Sequence, residues 1–260
     1  MFMRIDARQI LGIFGGVVAA ASLFVSGESA PSAQTATAIT TSTVSAALGA
    51  ADDNTLTAAE KAAGWKLLFD GKTLSGWHSY QKKDTTGWTV ANGEITWTAA
   101  GGDLVTNEQY ADFELSIDWK IAPKGNSGIF YRGLETEERI YYTAPEYQVL
   151  DNDGHPDAKN GPDRFSGANY DLIPPSKNVC HPADQWNSTR ILVRGAHVEH
   201  WLNGEKVVDY ELWTPEWKTL VANNKFKQWP SYGMAKTGHI ALQDHGNTVA
   251  FKNIKLRLLK

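Results

Sequence analysis

The sequence predicts an all-β fold, a jelly-roll sandwich of two antiparallel sheets with few short helices. Three observations carry this. Residues 113–121 alternate strictly between apolar and polar, short alternating runs elsewhere are separated by turn residues, and helical periodicity is absent after Gly64 except at 215–223.

Taken in chain order, Arg4 and Arg8 precede an apolar run from Ile10 to Val25 and then small residues from Ser26 to Ala38, the layout of a secretory signal assigned to residues 1–30. An uncleaved anchor is the competing reading, but the run is Gly- and Ala-rich and shorter than the roughly 20 apolar residues of a spanning helix. No stable membrane span is therefore expected after cleavage, which is placed after Gly27 or Ala38, and the mature protein is expected in the periplasm or secreted. No cysteine stands in the cleavage region after the apolar run, which excludes a lipid-modified leader. Residues 31–55 are dominated by Ala, Thr and Ser and bury too little area to offset chain entropy, so they read as a flexible linker.

The domain is assigned to 56–260. Thr57 three residues before Glu60 is a capping-box spacing that opens a short helix. In 113–121, Phe113, Leu115, Ile117, Trp119 and Ile121 point one way and Glu114, Ser116, Asp118 and Lys120 the other, which makes the clearest strand. Val198–Leu202, Asn203-Gly204 and Lys206–Tyr210 form a hairpin around a pair that tolerates the positive φ of a type I′ turn. His239–Asp244 and Thr248–Leu258, joined by His245-Gly246-Asn247, read as a second hairpin. Further strands are expected at 66–69, 88–90, 94–97, 129–132, 146–150 and 188–193.

With 260 residues and 42 % hydrophobic content, the chain can build one core. A formal charge of -4 gives no basic footprint, so a nucleic-acid partner is not expected. The single cysteine, Cys180, rules out an intramolecular disulfide and Cys-rich metal centres. Ten Trp and nine Tyr are available to fill a core or to stack on sugar faces, and composition does not choose between these. Oligomeric state is not legible.

The stretch Gly64-Trp65-Lys66-Leu67-Leu68-Phe69-Asp70-Gly71-Lys72-Thr73-Leu74 with Gly76-Trp77 comes first in a series of ordered motifs. It is followed by Gly125-Asn126-Ser127-Gly128-Ile129-Phe130-Tyr131-Arg132, Pro145-Glu146-Tyr147-Gln148-Val149-Leu150-Asp151, Trp201-Leu202-Asn203-Gly204 and Gly238-His239-Ile240-Ala241-Leu242-Gln243-Asp244-His245-Gly246. In this order the chain resembles the 3-keto-disaccharide hydrolase domain family. The resemblance implies a concanavalin A-like sandwich, a carbohydrate partner, and hydrolysis of glycosides oxidised at C3. Lys252 departs from it, standing where Arg is usual.

Strand alternation puts Glu146 and Gln148 on one face. The segment is also similar to the Glu-x-Asp-x-x-Glu strand of glycoside hydrolase family 16, with Gln in the middle and Asp151 at the end. Bringing Asp151 to that face requires a bulge, and an exposed, merely hydrated sheet face is the bland alternative. A C3 carbonyl acidifies the C2 proton, so a base can form an enolate that expels the C1 substituent, after which water adds back. Glu146 is the expected base, Arg132 the holder of the enolate oxygen and His245 the acid, against structural roles as an ion pair and a turn residue for the last two. Asn126, Gln148, Tyr170, Trp201 and Gln243 are the expected substrate-binding residues, with Tyr131 a further candidate sugar platform.

Asp151-Asn152-Asp153-Gly154 resembles the start of a calcium loop but lacks its closing Glu. Asp151 and Asp153 are the candidate ligands of a divalent metal, calcium or another; a solvated acidic turn is the competing reading. Two further functions compete with the hydrolase: a non-catalytic carbohydrate-binding module and a family 16-like glucanase.

Overall fold

The structure, a computed structural model, describes residues 52–260. The expected signal segment and all but the end of the expected linker lie outside the described residues. The linker's end is already part of the fold. Asn54 is buried, its N–H donates to Asn253 Oδ1 at 2.6 Å and its Nδ2 to the Gly93 carbonyl at 2.9 Å. Helix α1 (Ala58–Ala62) starts on the capping box: Thr57 Oγ1 accepts from Glu60 N at 3.2 Å, and Glu60 Oε2 accepts from Thr57 N at 2.8 Å.

Strands β1 (Lys66–Leu67), β2 (Trp77–Ser79), β3 (Trp88–Ala91), β4 (Glu94–Trp97) and β5 (Leu104–Thr106) lead into the long pair β6 (Phe113–Ile121) and β7 (Asn126–Gly133). Then come β8 (Glu146–Leu150), β9 (Asn187–Arg194), β10 (His197–Leu202), β11 (Glu205–Glu211), helix α2 (Pro215–Ala222), β12 (His239–Leu242) and β13 (Val249–Leu258). They form two antiparallel sheets. The larger runs β11-β10-β9-β6-β13-β4-β3 with β1 paired to β13, and the smaller runs β2-β5-β12-β7-β8. This is the predicted jelly-roll sandwich.

The core lies between the sheets. Leu115, Ile117 and Trp119 of β6 meet Ile129 and Tyr131 of β7 and Tyr147 and Val149 of β8, all fully buried. Each such side chain stabilises the fold by about 1.5–3 kcal/mol. In the β10–β11 hairpin, Asn203 and Gly204 adopt φ of 50° and 84°, as a type I′ turn demands.

The second expected hairpin is not one. β12 pairs with β5 and β7 in the smaller sheet, whereas β13 pairs with β6 and β4 in the larger. The link between them crosses the sandwich and is fastened by Asp244. This carboxylate accepts from Trp97 Nε1 at 2.7 Å, Gly101 N at 2.8 Å and Gly102 N at 3.0 Å. A turn signature marks a change of direction and does not say which sheet the next strand joins. β2 and β5 were not foreseen, because three residues are too few to display a period.

The outer face of the smaller sheet positions the site. All five residues of β8 are buried, so this sheet is covered on both sides. Over part of the outer face, Ile140 and Ala144 close on Tyr80, Val105, Phe130 and Ala241. The remainder of that face is polar and open.

Candidate functional site

The polar part of this face forms a cleft of about 410 Å³, within the range of small-ligand sites. Its floor follows from strand register. Gly128 lies opposite Gln148, and Gln243 N donates to the Gly128 carbonyl at 2.9 Å. Leu242 is paired with Leu104, so continuing that register by one residue sets Asp103 opposite Gln243. Asp103, Gln243, Gly128 and Gln148 thus form a row across four strands, with Glu146 diagonal to Gly128.

Glu146 lies over Gly128. A Cβ on Gly128 would stand 2.3 Å from Glu146 Oε1 and 2.8 Å from its Cδ. Glycine here is a matter of space, since the carboxyl occupies the volume of the missing side chain. Burial pushes the Glu146 pKa up to about 8; the Asp103 and Asp157 charges add to the rise, while Lys225 and a hydrogen bond from Gln243 oppose it. Burial likewise raises Asp103 to about 7, aided by the Asp244 charge and opposed by a backbone N–H and by Arg139. The cleft floor therefore carries two carboxyl groups that exchange protons near neutral pH.

Three amides on this floor have buried atoms without partners: Asn126 Oδ1, Gln148 Nε2 and Gln243 Oε1. Such atoms are destabilising by about 1–3 kcal/mol each unless water or a ligand satisfies them. His245 stands exposed at the rim with Nε2 3.3 Å from Asn126 Nδ2.

The walls are aromatic. Segment 166–170 runs along the free edge of β8, with Gln148 N donating to the Ala168 carbonyl at 3.1 Å and Tyr170 N to the Glu146 carbonyl at 3.0 Å. This covers the sheet edge and brings Tyr170 to the cleft. Its hydroxyl accepts from Arg164 Nη1 at 2.8 Å and donates to Asp157 Oδ2 at 3.2 Å, and Lys225 Nζ lies 4.4 Å from its ring. Opposite, Trp229 stacks on Tyr142 at 4.3 Å and meets Tyr141 edge-on at 5.6 Å. Half-buried aromatic faces beside unsatisfied amides suit the apolar and hydroxyl faces of a sugar.

A family model described as a 3-keto-alpha-glucoside-1,2-lyase-like domain matches residues 64–257. The chain belongs to this family. It is 39% identical over 247 residues, covering 83% of this chain and 85% of the other, to a 3-keto-disaccharide hydrolase of Bacteroides thetaiotaomicron. Two crystal structures from Parabacteroides distasonis, each described as a candidate glycosyl hydrolase, share the fold. One has a TM-score of 0.76 at 38% identity, covering 80% of this chain and 100% of the other; the second has 0.59 at 25%, covering 75% and 99%. The chain is thus a glycoside hydrolase-like enzyme.

Of the residues expected from sequence, this lyase-like domain brings Glu146, Gln148, Asn126, Gln243, Tyr170 and His245 together in one cleft. Arg132 is elsewhere. Its Nε donates to the Ala111 carbonyl at 2.9 Å, Nη1 to the Gly195 carbonyl at 2.8 Å and Nη2 to Asp112 Oδ1 at 3.0 Å. Strict alternation would set Arg132 on the face of Gly128 and Phe130. The β7–β12 register slips between the Ala241–Phe130 and His239–Gly133 pairs, and Arg132 takes φ of 52°, so the parity breaks there. Trp201 is on the outer face of the larger sheet, under the Arg190 guanidinium at 3.9 Å. Tyr131 is a core residue, fully buried and hydrogen-bonded to Tyr210.

Asp151 and Asp153 do not fit a metal site. No bulge turns Asp151 into the cleft. Its carboxylate closes a turn, accepting from Lys124 N at 2.7 Å, Gly154 N at 3.1 Å and Asp153 N at 3.2 Å, while Asp153 is exposed. Among the described residues, His197, Glu199 and Asp209 do offer ligand atoms within 4.8 Å of one another, on the outer face of the larger sheet. Lys206 Nζ already pairs with both carboxylates of that group, 3.2 Å from Glu199 and 2.5 Å from Asp209.

Asp103, Lys225, Trp229 and Tyr141 were not found from sequence. Asp103 follows two glycines beside a three-residue strand, and the aromatic wall belongs to irregular segments that show no pattern.

Proposed function

We propose that this enzyme cleaves the glycosidic bond of 3-keto glycosides by removing the C2 proton, eliminating the C1 substituent and hydrating the product. The observation that carries this reading is the Glu146 carboxyl, lodged over Gly128 on the cleft floor with its pKa raised to about 8. A carboxylate with that affinity for a proton is a stronger base than an ordinary one and is matched to neutral pH.

The C3 carbonyl makes the C2–H bond acidic. Glu146 takes that proton, the C–H electrons form a C2=C3 enolate, and the negative charge passes to the C3 oxygen. The unpaired Gln148 Nε2 is a donor for that oxygen, and Lys225 adds positive charge at the cleft. When the enolate collapses, C3=O re-forms, C1=C2 forms and the C1–O bond breaks. Water then adds to C1, the β-carbon of the resulting enone, and C2 recovers its proton from Glu146. The names of the relatives agree with this order, since a 1,2-lyase describes the first half and a hydrolase the sum.

A glucanase of the family 16 kind needs a second carboxylate facing Glu146 from the same strand. Asp151 is held away from the cleft by three backbone N–H groups, which favours the elimination route. Export remains part of the reading, on the composition of residues 1–30, and is checked by the N-terminal sequence of the mature protein from the host's extracytoplasmic fraction.

The function is tested with a chromogenic 3-keto-glucoside and its unoxidised parent. Release from the keto substrate alone, lost in Glu146→Gln, supports the proposal. Cleavage of the parent at a comparable rate, or retained activity in the variant, overturns it.

A further inference from the structure

Building on that proposed reaction, we infer that Asp103 is the second catalytic carboxyl of the cleft, donating its proton to the glycosidic oxygen as the C1–O bond breaks. An alkoxide is a poor leaving group, and the reaction as described leaves its proton unassigned. The rim histidine His245 is exposed, whereas Asp103 is on the floor, one strand beyond Gln243 from the residue over which Glu146 lies. The two carboxyl groups thus lie on a single face, Asp103 on one side of Gln243 and Glu146, over Gly128, on the other.

The surroundings of Asp103 suit an acid. Oδ1 accepts from Asp244 N at 2.8 Å, and among the described residues no cation pairs with it within 4.0 Å. Its neighbour Asp244 accepts four N–H bonds, from Trp97, Gly101, Gly102 and Gly246, and the charge fixed there favours the protonated form of Asp103. The hydrogen bond from Asp244 N and, more weakly, Arg139 at the rim act in the opposite sense.

The proton balance closes. In elimination Glu146 gains the C2 proton and Asp103 gives its own to the departing oxygen, releasing an alcohol and the enone. In hydration Asp103 takes a proton from water as the water oxygen bonds to C1, and Glu146 returns its proton to C2. Both groups end as they began.

The test uses two 3-keto glucosides, one releasing 4-nitrophenolate, which needs no proton, and one a disaccharide releasing a sugar alkoxide. Asp103→Asn keeps the acceptor for Asp244 N. In single-turnover release of the leaving group, which precedes hydration, it is expected to lose about 10²–10⁴-fold on the disaccharide and less than about tenfold on the nitrophenyl substrate, whereas Glu146→Gln loses on both. The wild type gives a second reading that needs no variant: a bell-shaped pH profile on the disaccharide, and loss of its alkaline limb on the nitrophenyl substrate. Equal effects of Asp103→Asn on both substrates, or the same pH profile for both, overturn the inference while the proposed reaction stands. A wild type that cleaves neither substrate overturns both.

Discussion

Gly128 and Glu146 share one volume: the glutamate carboxyl occupies the space that any side chain at 128 would fill, with Oε1 2.3 Å from where a Cβ would be. Gly128 is opposite Gln148 and two residues from Phe130, so it stands where the apolar part of the sheet's outer face gives way to the polar floor.

Gly128→Ala is accordingly expected to displace the carboxyl and lower kcat by about 10²-fold or more, by the sensitivity of catalysis to a 1 Å misplacement. The variant should fold, since the displaced group faces the open cleft. Steady-state kinetics beside a thermal melt checks this, and wild-type activity in a folded variant would show that Glu146 is not held by this contact.

Stability should depend on pH through the same two acids. Glu146 rises from 4.5 to about 8 and Asp103 from 3.8 to about 7 on folding. The folded state thus binds more protons than the unfolded between these values, so their contribution is fully present below about pH 4 and is lost as pH rises to about 8. Asp157, Asp244, Arg139 and Lys225 face this pair and set the size of the effect. Glu146→Gln removes the larger part and should stabilise the protein at pH 8 by roughly 2–4 kcal/mol. Melts from pH 5 to 9 read this out, and a variant curve parallel to the wild type contradicts it.

Trp229 is expected to act in binding. Trp229→Ala removes the face stacked on Tyr142 and should raise KM about tenfold, with kcat within about threefold. A fall in kcat with KM unchanged would place the ring at the reacting bond instead.

Arg132 and Asp153 should separate stability from activity. Arg132→Ala leaves two carbonyls and Asp112 without their donor and is expected to destabilise by about 2–4 kcal/mol while the folded fraction keeps its kcat. Asp153→Ala, at an exposed turn, should change neither quantity by more than about 0.5 kcal/mol. Active-site titration with melts tests both.

The legible parts of the sequence were those governed by local pattern. β6 shows its period over nine residues, Asn203-Gly204 declares its turn, and Glu146 and Gln148 share a face by parity alone. Arg132 was misplaced because one irregular residue inverts the parity on which its direction depended. The β12–β13 link departs from the expected hairpin because two sheets in contact offer a strand two sets of partners, and the pairing of β13 with β6 and β4 is a long-range matter that the turn residues do not contain. Asp103 and Trp229 reach the cleft through long-range register and loop packing, which no window of sequence contains.

The most direct test of the account follows hydrogen at C2. With the 3-keto disaccharide in D₂O, the proton removed by Glu146 exchanges before it is returned, so the released keto sugar should carry deuterium at C2 well beyond a no-enzyme control, and Glu146→Gln should abolish both release and label. Release of sugar whose C2 hydrogen is retained, together with no primary isotope effect on release from a substrate carrying deuterium at C2, would show that the glycosidic bond breaks without an enolate, and would contradict the elimination mechanism.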